Sequence, residues 1–240
     1  MGASIHIWTI ALDDDPAIVS SLVDMLSGDE RVRAARFRTT ELRVRFVVAH
    51  GALRTILSGY LGMPPGAVRF DTTQSGKPYV PGADLTFNLS RSEGLALCAI
   101  TVAGQVGVDI ERLRPVDDED AIVHRYFAPG EMRQYEAVRS PERTAAFFST
   151  WTRKEAFVKA VGAGLQCELS SFEVEVSPQA VCPRLTLESG EQQAIWSLRS
   201  FFPRPQYIAA VALDRDIDAL EFFDWSADTL ATIASHPFLH

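Results

Sequence analysis

Trp151-Thr152-Arg153-Lys154-Glu155-Ala156-Phe157-Val158-Lys159-Ala160-Val161-Gly162-Ala163-Gly164-Leu165 is the stretch around which the rest of the chain is read. Its spacing predicts the second half of a helix. Ser140 and Pro141 offer a start, as N-cap and first helical residue, where proline's missing N–H is not needed. Gly162 and Gly164 offer the stop. At about 100° per residue, Phe147, Trp151, Phe157, Val158 and Val161 share one arc, expected to face the core. Glu155 and Lys159 border that arc at i and i+4, roughly 6 Å apart at Cβ. Read alone they are a surface ion pair. At the rim of a buried face they can both reach into a cleft.

Working outward, Arg112–Asp120 is charged, holds a proline and reads as a linker, followed by short helices near 120–126 and 129–138. Downstream, strands are expected at 172–177, 184–188, 194–201 and 207–213, with a short terminal helix from Ser226 to Ile233. Upstream, Ser4–Leu12 is apolar on both faces and reads as an internal strand. A helix follows from Asp15 as N-cap and Pro16 to about Leu26. Leu42, Phe46, Leu53, Leu57 and Tyr60 predict a second helix over 41–61. Strands are expected at 68–72 and 85–89. Leu95–Val102 and Val106–Glu111 read as a hairpin around Gly104-Gln105. Each half thus places helices before strands. The expectation is an α+β protein of two similar halves, 1–111 and 112–240, each with helices on a small, mainly antiparallel sheet. The site is expected at their junction.

Composition narrows the classes. The chain has 240 residues, 47% of them hydrophobic, and a net charge of −8, which argues against nucleic acid as a partner. No signal peptide or membrane span is evident. Cys98, Cys167 and Cys182 are too few and scattered for a disulfide framework or a zinc site, and a reducing cytoplasm fits best. Arg31, Arg33, Arg36, Arg38, Arg43, Arg45 and Arg54 crowd one region, as an anion site or as a solvated helix face.

Asp109 and Glu111 share one face of their strand, about 6.6 Å apart at Cα. Beside apolar Val108 and Ile110, the pair is either solvent-exposed or neutralised by a cation. Gly76-Lys77-Pro78 is a stiff turn carrying a point charge, and Ser90-Arg91 follows an apolar strand with two phosphate-binding side chains. Three carboxylates with these basic groups suggest a polyphosphate held with a divalent metal. Rossmann, P-loop and nucleophile-elbow motifs are missing from the sequence.

The series Gly-Lys-Pro, Phe-Asn-Leu-Ser, Gly-Val-Asp-Ile-Glu and Trp-x-x-Lys-Glu-Ala-Phe-x-Lys-Ala-x-Gly-x-Gly-Leu resembles the 4′-phosphopantetheinyl transferases of the long, surfactin-synthetase-activating type. The resemblance covers about Asp29 to Val176. It implies a pseudo-duplicated α+β fold and a cytoplasmic monomer. The implied reaction moves the phosphopantetheine arm of coenzyme A to a serine of an acyl or peptidyl carrier protein, releasing 3′,5′-ADP. Mg²⁺, or Mn²⁺ in its place, is implied as the metal, held by Asp109, Glu111 and Glu155. Glu155, Lys159 and Asp109 become the catalytic residues. Arg45, Gly76, Lys77, Pro78, Ser90, Arg91 and Lys159 become the coenzyme A contacts. Arg91 stands where the family commonly has histidine, which keeps a donor and makes its charge permanent. The rival readings are a catalytically idle coenzyme A or carrier-protein binding module and a coenzyme A pyrophosphate hydrolase. Val123, Tyr126, Phe127, Met132 and Tyr135, with Arg125 or Arg133, are expected to dock the carrier, unless they pack the junction. The pathway served, whether fatty acid, polyketide or peptide synthesis, is not written in the sequence.

Overall fold

The computed structural model describes residues 2–13, 16–162, 167–180, 184–189 and 192–226. The N-cap expected at Asp15, the stop at Gly164, Cys182 and all but the first residue of the expected terminal helix lie outside them. In chain order the elements are β1 (Ala3–Ala11), α1 (Pro16–Met25), α2 (Gly28–Ala35), α3 (Thr40–Leu61), β2 (Asp71–Thr72), β3 (Pro78–Tyr79), β4 (Thr86–Ser92), β5 (Leu95–Thr101) and β6 (Val106–Arg112). Then come α4 (Glu119–Tyr126), α5 (Pro129–Glu136), α6 (Arg143–Val161), β7 (Arg184–Ser189), β8 (Gln192–Phe201), β9 (Tyr207–Leu213) and β10 (Ile217–Asp224).

Two four-stranded sheets organise this mixed α+β fold. The first has the order β10-β1-β5-β4, parallel between β1 and β10 and antiparallel elsewhere; the second has the order β6-β9-β8-β7 and is antiparallel throughout. Side-chain alternation along the strands makes four layers of them. Ile5, Ile7, Leu97 and Ala99 of the first sheet meet Val106, Val108, Ile110 and Val211 of the second in a core between the sheets. The opposite face of the first sheet, with Trp8, Ile10, Phe87 and Cys98, packs under α3 through Phe46, Leu53 and Ile56. The opposite face of the second, with Leu198, Ala210 and Ala212, packs under α6 through Ala156, Phe157 and Ala160.

Several expectations shift. The boundary at 111/112 does not separate the sheets, because β6 belongs to the second and β10 returns to the first. β5 and β6 are not a hairpin: β5 pairs with β4, and β6 with β9. The real hairpin is β4–β5, turning at Glu93-Gly94, with Glu93 at φ 49°. β4 continues through Ser90-Arg91-Ser92 because its polar residues alternate onto one face. Arg31 and Arg33 lie on a short helix, α2, with a Ser27/Glu30 capping box, and Arg43, Arg45 and Arg54 lie on α3. α6 starts at Arg143, since residues 139–142 form a turn closed by Glu142 N–H on Arg139 O. No regular strand forms at 172–177, and the strand expected at 68–72 shrinks to Asp71–Thr72.

Candidate active site

The site forms where an edge strand of each sheet meets the other beneath α6. β4 and β6 do not pair through their backbones. Asn88 Oδ1 instead accepts from Val108 N–H (2.8 Å), satisfying part of the open edge of β6. Further along the strands Ser90 Oγ donates to Asp109 Oδ1 (2.8 Å), and two residues on from that pair along each strand Ser92 Oγ donates to Glu111 Oε2 (2.8 Å). The period of two brings Asn88, Ser90 and Ser92 to one side of β4 and sends Arg91 to the other.

Gly107 sets how closely α6 approaches. A Cβ there would lie 2.1 Å from Ala156 O and 2.3 Å from Ala160 N, so only glycine lets the strand run against the helix backbone. That contact carries Lys159 onto β6. Its Nζ donates to Asp109 Oδ1 (2.5 Å) and to Ser90 Oγ (2.9 Å). Asp109 Oδ2 is buried without a hydrogen-bond partner. Glu155 lies one turn earlier on α6. Burial, then the charges of Asp109 and Glu111, push its carboxyl above the usual carboxylate range, with Lys159 opposing. Glu155 therefore lies within electrostatic reach of both other carboxylates, although among the described residues no group of three His, Cys, Asp or Glu is gathered into a coordination shell.

A cleft of about 760 Å³ opens beside them, lined by Gly76, Lys77 and Pro78 on one wall and by Glu155, Val158 and Lys159 on another. Tyr126 and Trp151, in edge contact at 5.7 Å, and Cys167 also line it. Lys77 does not extend its charge into this space. Its Nζ donates to Ala160 O (2.8 Å) and Val106 O (3.0 Å), tying the C-terminus of α6 to the start of β6. Burial pushes its ammonium down to about 8. Gly162 closes α6 in the left-handed conformation, against the Lys77 stem.

Four arginines of this side of the molecule take three different environments. Arg54 is buried and structural, donating to Glu30 Oε2 (2.8 Å) and Val68 O (2.8 Å). Arg45 is paired with Asp13 (2.8 Å) and Glu41 (2.7 Å). Arg33 and Arg91 both lie over the Phe46 ring, 5.3 and 5.8 Å from its centroid, and burial with the Arg33 charge lowers the Arg91 pKa. The two guanidiniums thus place positive charge on the opposite face of β4 from Ser90.

Lys154, beside Glu155 in sequence, points away from the cleft. Lys154 and Glu131 form a wholly buried ion pair (2.8 Å). The α6 arc is likewise not all core: Trp151 lines the cleft and Val161 is 44% exposed. Val123, Phe127 and Tyr135, expected on a docking surface, are buried against Phe147 and Phe148, with Tyr126 and Met132 packed at the edge of that cluster. The cluster lies within the second half of the chain, closed by Val176 and by Ile208 of β9.

A family model of the 4′-phosphopantetheinyl transferase superfamily matches residues 105–212, the span that holds Asp109, Glu111, Glu155 and Lys159. The chain is 39% identical to the 4′-phosphopantetheinyl transferase HetI of Nostoc sp. over 216 residues, 87% of each chain. It belongs to the 4′-phosphopantetheinyl transferase superfamily. It is also 31% identical to the transferase psf-1 of Bacillus pumilus over 83% of its length and 84% of the relative's. With the transferase Sfp of Bacillus subtilis it shares 28% over 79% of its length and 82% of that chain. The protein is thus a transferase enzyme of this family. Asn88 and Ser92, which stand beside Ser90 in the sequence, carry no role in the sequence reading, yet both reach β6 here. The signal was available for Ser92, which repeats the Ser90 position two residues on.

Proposed function

We propose that this transferase moves the 4′-phosphopantetheine arm of coenzyme A to the serine of an acyl or peptidyl carrier protein, leaving 3′,5′-ADP. The observation that carries this is the convergence of Asp109, Glu155 and Lys159 beside one cleft, with Asp109 Oδ2 buried and unpartnered. A buried carboxylate oxygen without a donor fits a hard cation, as does an all-oxygen donor set. Asp109, Glu111 and Glu155 would hold Mg²⁺, or Mn²⁺ in its place, and the ion would neutralise charge on the pyrophosphate.

The chain's own groups do the rest. Glu155, whose raised pKa suits a proton acceptor, takes the proton of the carrier serine. The serine oxygen attacks the β-phosphorus in line, and the bond to the bridging oxygen of 3′,5′-ADP breaks. Lys159 donates to the leaving phosphate oxygens. Gly76 and Pro78 shape the wall against adenosine. Ser90 contributes a hydroxyl at the phosphate end, and Arg91 with Arg33 takes the 3′-phosphate. Arg45 supports that region through Asp13 and Glu41 rather than as a free cation.

The reading also takes α3 with one sheet and α6 with the other as two similar halves, active as a cytoplasmic monomer. Among the described residues no helix is long and apolar enough to cross a membrane. An idle binding module would bind coenzyme A without transfer, and a hydrolase would cleave it without a carrier. Mass spectrometry of an apo carrier protein incubated with coenzyme A and Mg²⁺ separates the three. The expected result is a phosphopantetheine mass shift with the wild type and none with Asp109→Ala. No shift with the wild type, across carriers of fatty acid, polyketide and peptide synthesis, would refute transfer.

A further inference from the structure

Asp109 and Glu111 are held in the same way. On Asp109, one oxygen, Oδ1, takes both a β4 hydroxyl, from Ser90, and a cation, Lys159. On Glu111, one oxygen, Oε2, takes both a β4 hydroxyl, from Ser92, and a cation, Arg114 (3.2 Å). In each case the second oxygen is left over. Asp109 Oδ2 is buried without a partner, and no hydrogen bond from the described residues reaches Glu111 Oε1.

Both members of the Glu111 clamp are themselves fixed. Ser92 Oγ accepts from Arg112 N–H (3.1 Å), which orients its own proton toward the carboxylate. Arg114 Nη1 also donates to Arg112 O (3.0 Å), and its guanidinium lies 5.3 Å from the centroid of the Phe148 ring. A glutamate has a rotatable bond more than an aspartate, so without such a clamp Glu111 would sample orientations that carry its free oxygen away from Asp109.

We propose that Ser92 and Arg114 are positioning residues of the metal centre: together they lock Glu111 so that its free oxygen, like that of Asp109, faces the cation. This rests on the metal reading above. It gives β4 a function beyond closing the first sheet. Its alternate side chains Asn88, Ser90 and Ser92 form a ruler along β6, holding first a backbone N–H and then each carboxylate in turn. Such outer contacts orient ligands before the ion arrives.

The test is Mn²⁺ titration followed by electron paramagnetic resonance, with coenzyme A present, so that binding is read without turnover. Ser92→Ala and Arg114→Gln should weaken Mn²⁺ binding by about 10- to 100-fold. Ser92→Thr, which keeps the hydroxyl, should restore it. The thermal midpoint of the metal-free protein should change little, and in turnover the KM for Mg²⁺ should rise by a larger factor than kcat falls. Mn²⁺ affinity in Ser92→Ala within about two-fold of wild type would overturn the clamp. So would a loss that tracks a lowered midpoint and is not restored by threonine. If the wild type and Asp109→Ala bind Mn²⁺ equally poorly, the metal reading itself falls and takes the clamp with it.

Discussion

Replacing Glu131 by glutamine should cost this transferase several kcal/mol of stability without touching the cleft. Lys154 and Glu131 are both wholly buried. Lys154 Nζ spends its three hydrogens on Glu131 Oε2 (2.8 Å), Leu169 O (2.7 Å) and Phe172 O (2.6 Å), and sits 4.3 Å from the Phe172 ring centroid. Glu131 in turn accepts from Ala128 N–H (2.7 Å) and Val174 N–H (2.7 Å). The network is complete, so removing one charge strands the other. Burial alone pushes the Glu131 carboxyl up and the Lys154 ammonium down, and their mutual attraction opposes both shifts. Breaking such a pair costs about 3–5 kcal/mol. For a chain of this length each kcal/mol moves the midpoint by about 2–4 °C, so a fall of roughly 10 °C is expected. Thermal unfolding followed by circular dichroism measures it. The double change Glu131→Gln with Lys154→Met should recover much of the loss, because no charge is then left stranded. A Glu131→Gln midpoint within about 2 °C of wild type, or a double variant as unstable as the sum of the singles, would refute the reasoning.

Gly107→Ala should separate α6 from β6 and lower both stability and transfer, because the added methyl meets main-chain atoms that cannot turn aside; the thermal midpoint and the carrier mass shift read both effects. At Glu30, burial raises the carboxyl, but hydrogen bonds from His50, Ser27 and Arg54 outweigh it and hold the group at about 2 against an ordinary 4.5. Its folded pKa is depressed, so its contribution of up to about 3 kcal/mol is present above pH 4.5 and fades as pH falls toward 2. Glu30→Gln should therefore flatten the acid limb of a urea-stability profile, and an unchanged slope would contradict it. Arg91→His should be tolerated while weakening coenzyme A binding above neutral pH, where histidine is mostly neutral. If dephospho-coenzyme A binds the wild type as tightly as coenzyme A, Arg91 does not read the 3′-phosphate.

Much of the fold was legible because period and punctuation are local. α1, α3 and α6 follow their apolar spacing, and β1 follows its double-sided burial. What stayed hidden was partner choice. Leu95–Val102 and Val106–Glu111 flank a glycine turn, yet β6 pairs with a strand from residue 207 onward, and nothing local encodes that. The serines of β4 looked like a loop because polar residues on one face of a strand mimic one; their partners are carboxylates near residue 110. Asp109 and Lys159, read from separate motifs, are hydrogen-bonded in the structure, and Glu155 lies one turn from Lys159 on α6. Lys77 shows the limit, since a lysine whose ammonium caps a helix end reads, in sequence, like any phosphate ligand.

The pairing of β1 with β10 has a consequence for how the molecule is made. Residues 3–9 run beside residues 217–224 in one parallel ladder. On the ribosome, β1 emerges long before its neighbour exists, and must wait with one edge open until residues 217–224 have been synthesised. The β1–β10 ladder is therefore a late-closing contact that latches the first sheet across about 200 residues of chain. Fragments that stop before residue 217 would lack β10 and leave that edge available to other chains, so such a truncation would tell first in aggregation during expression rather than in catalysis.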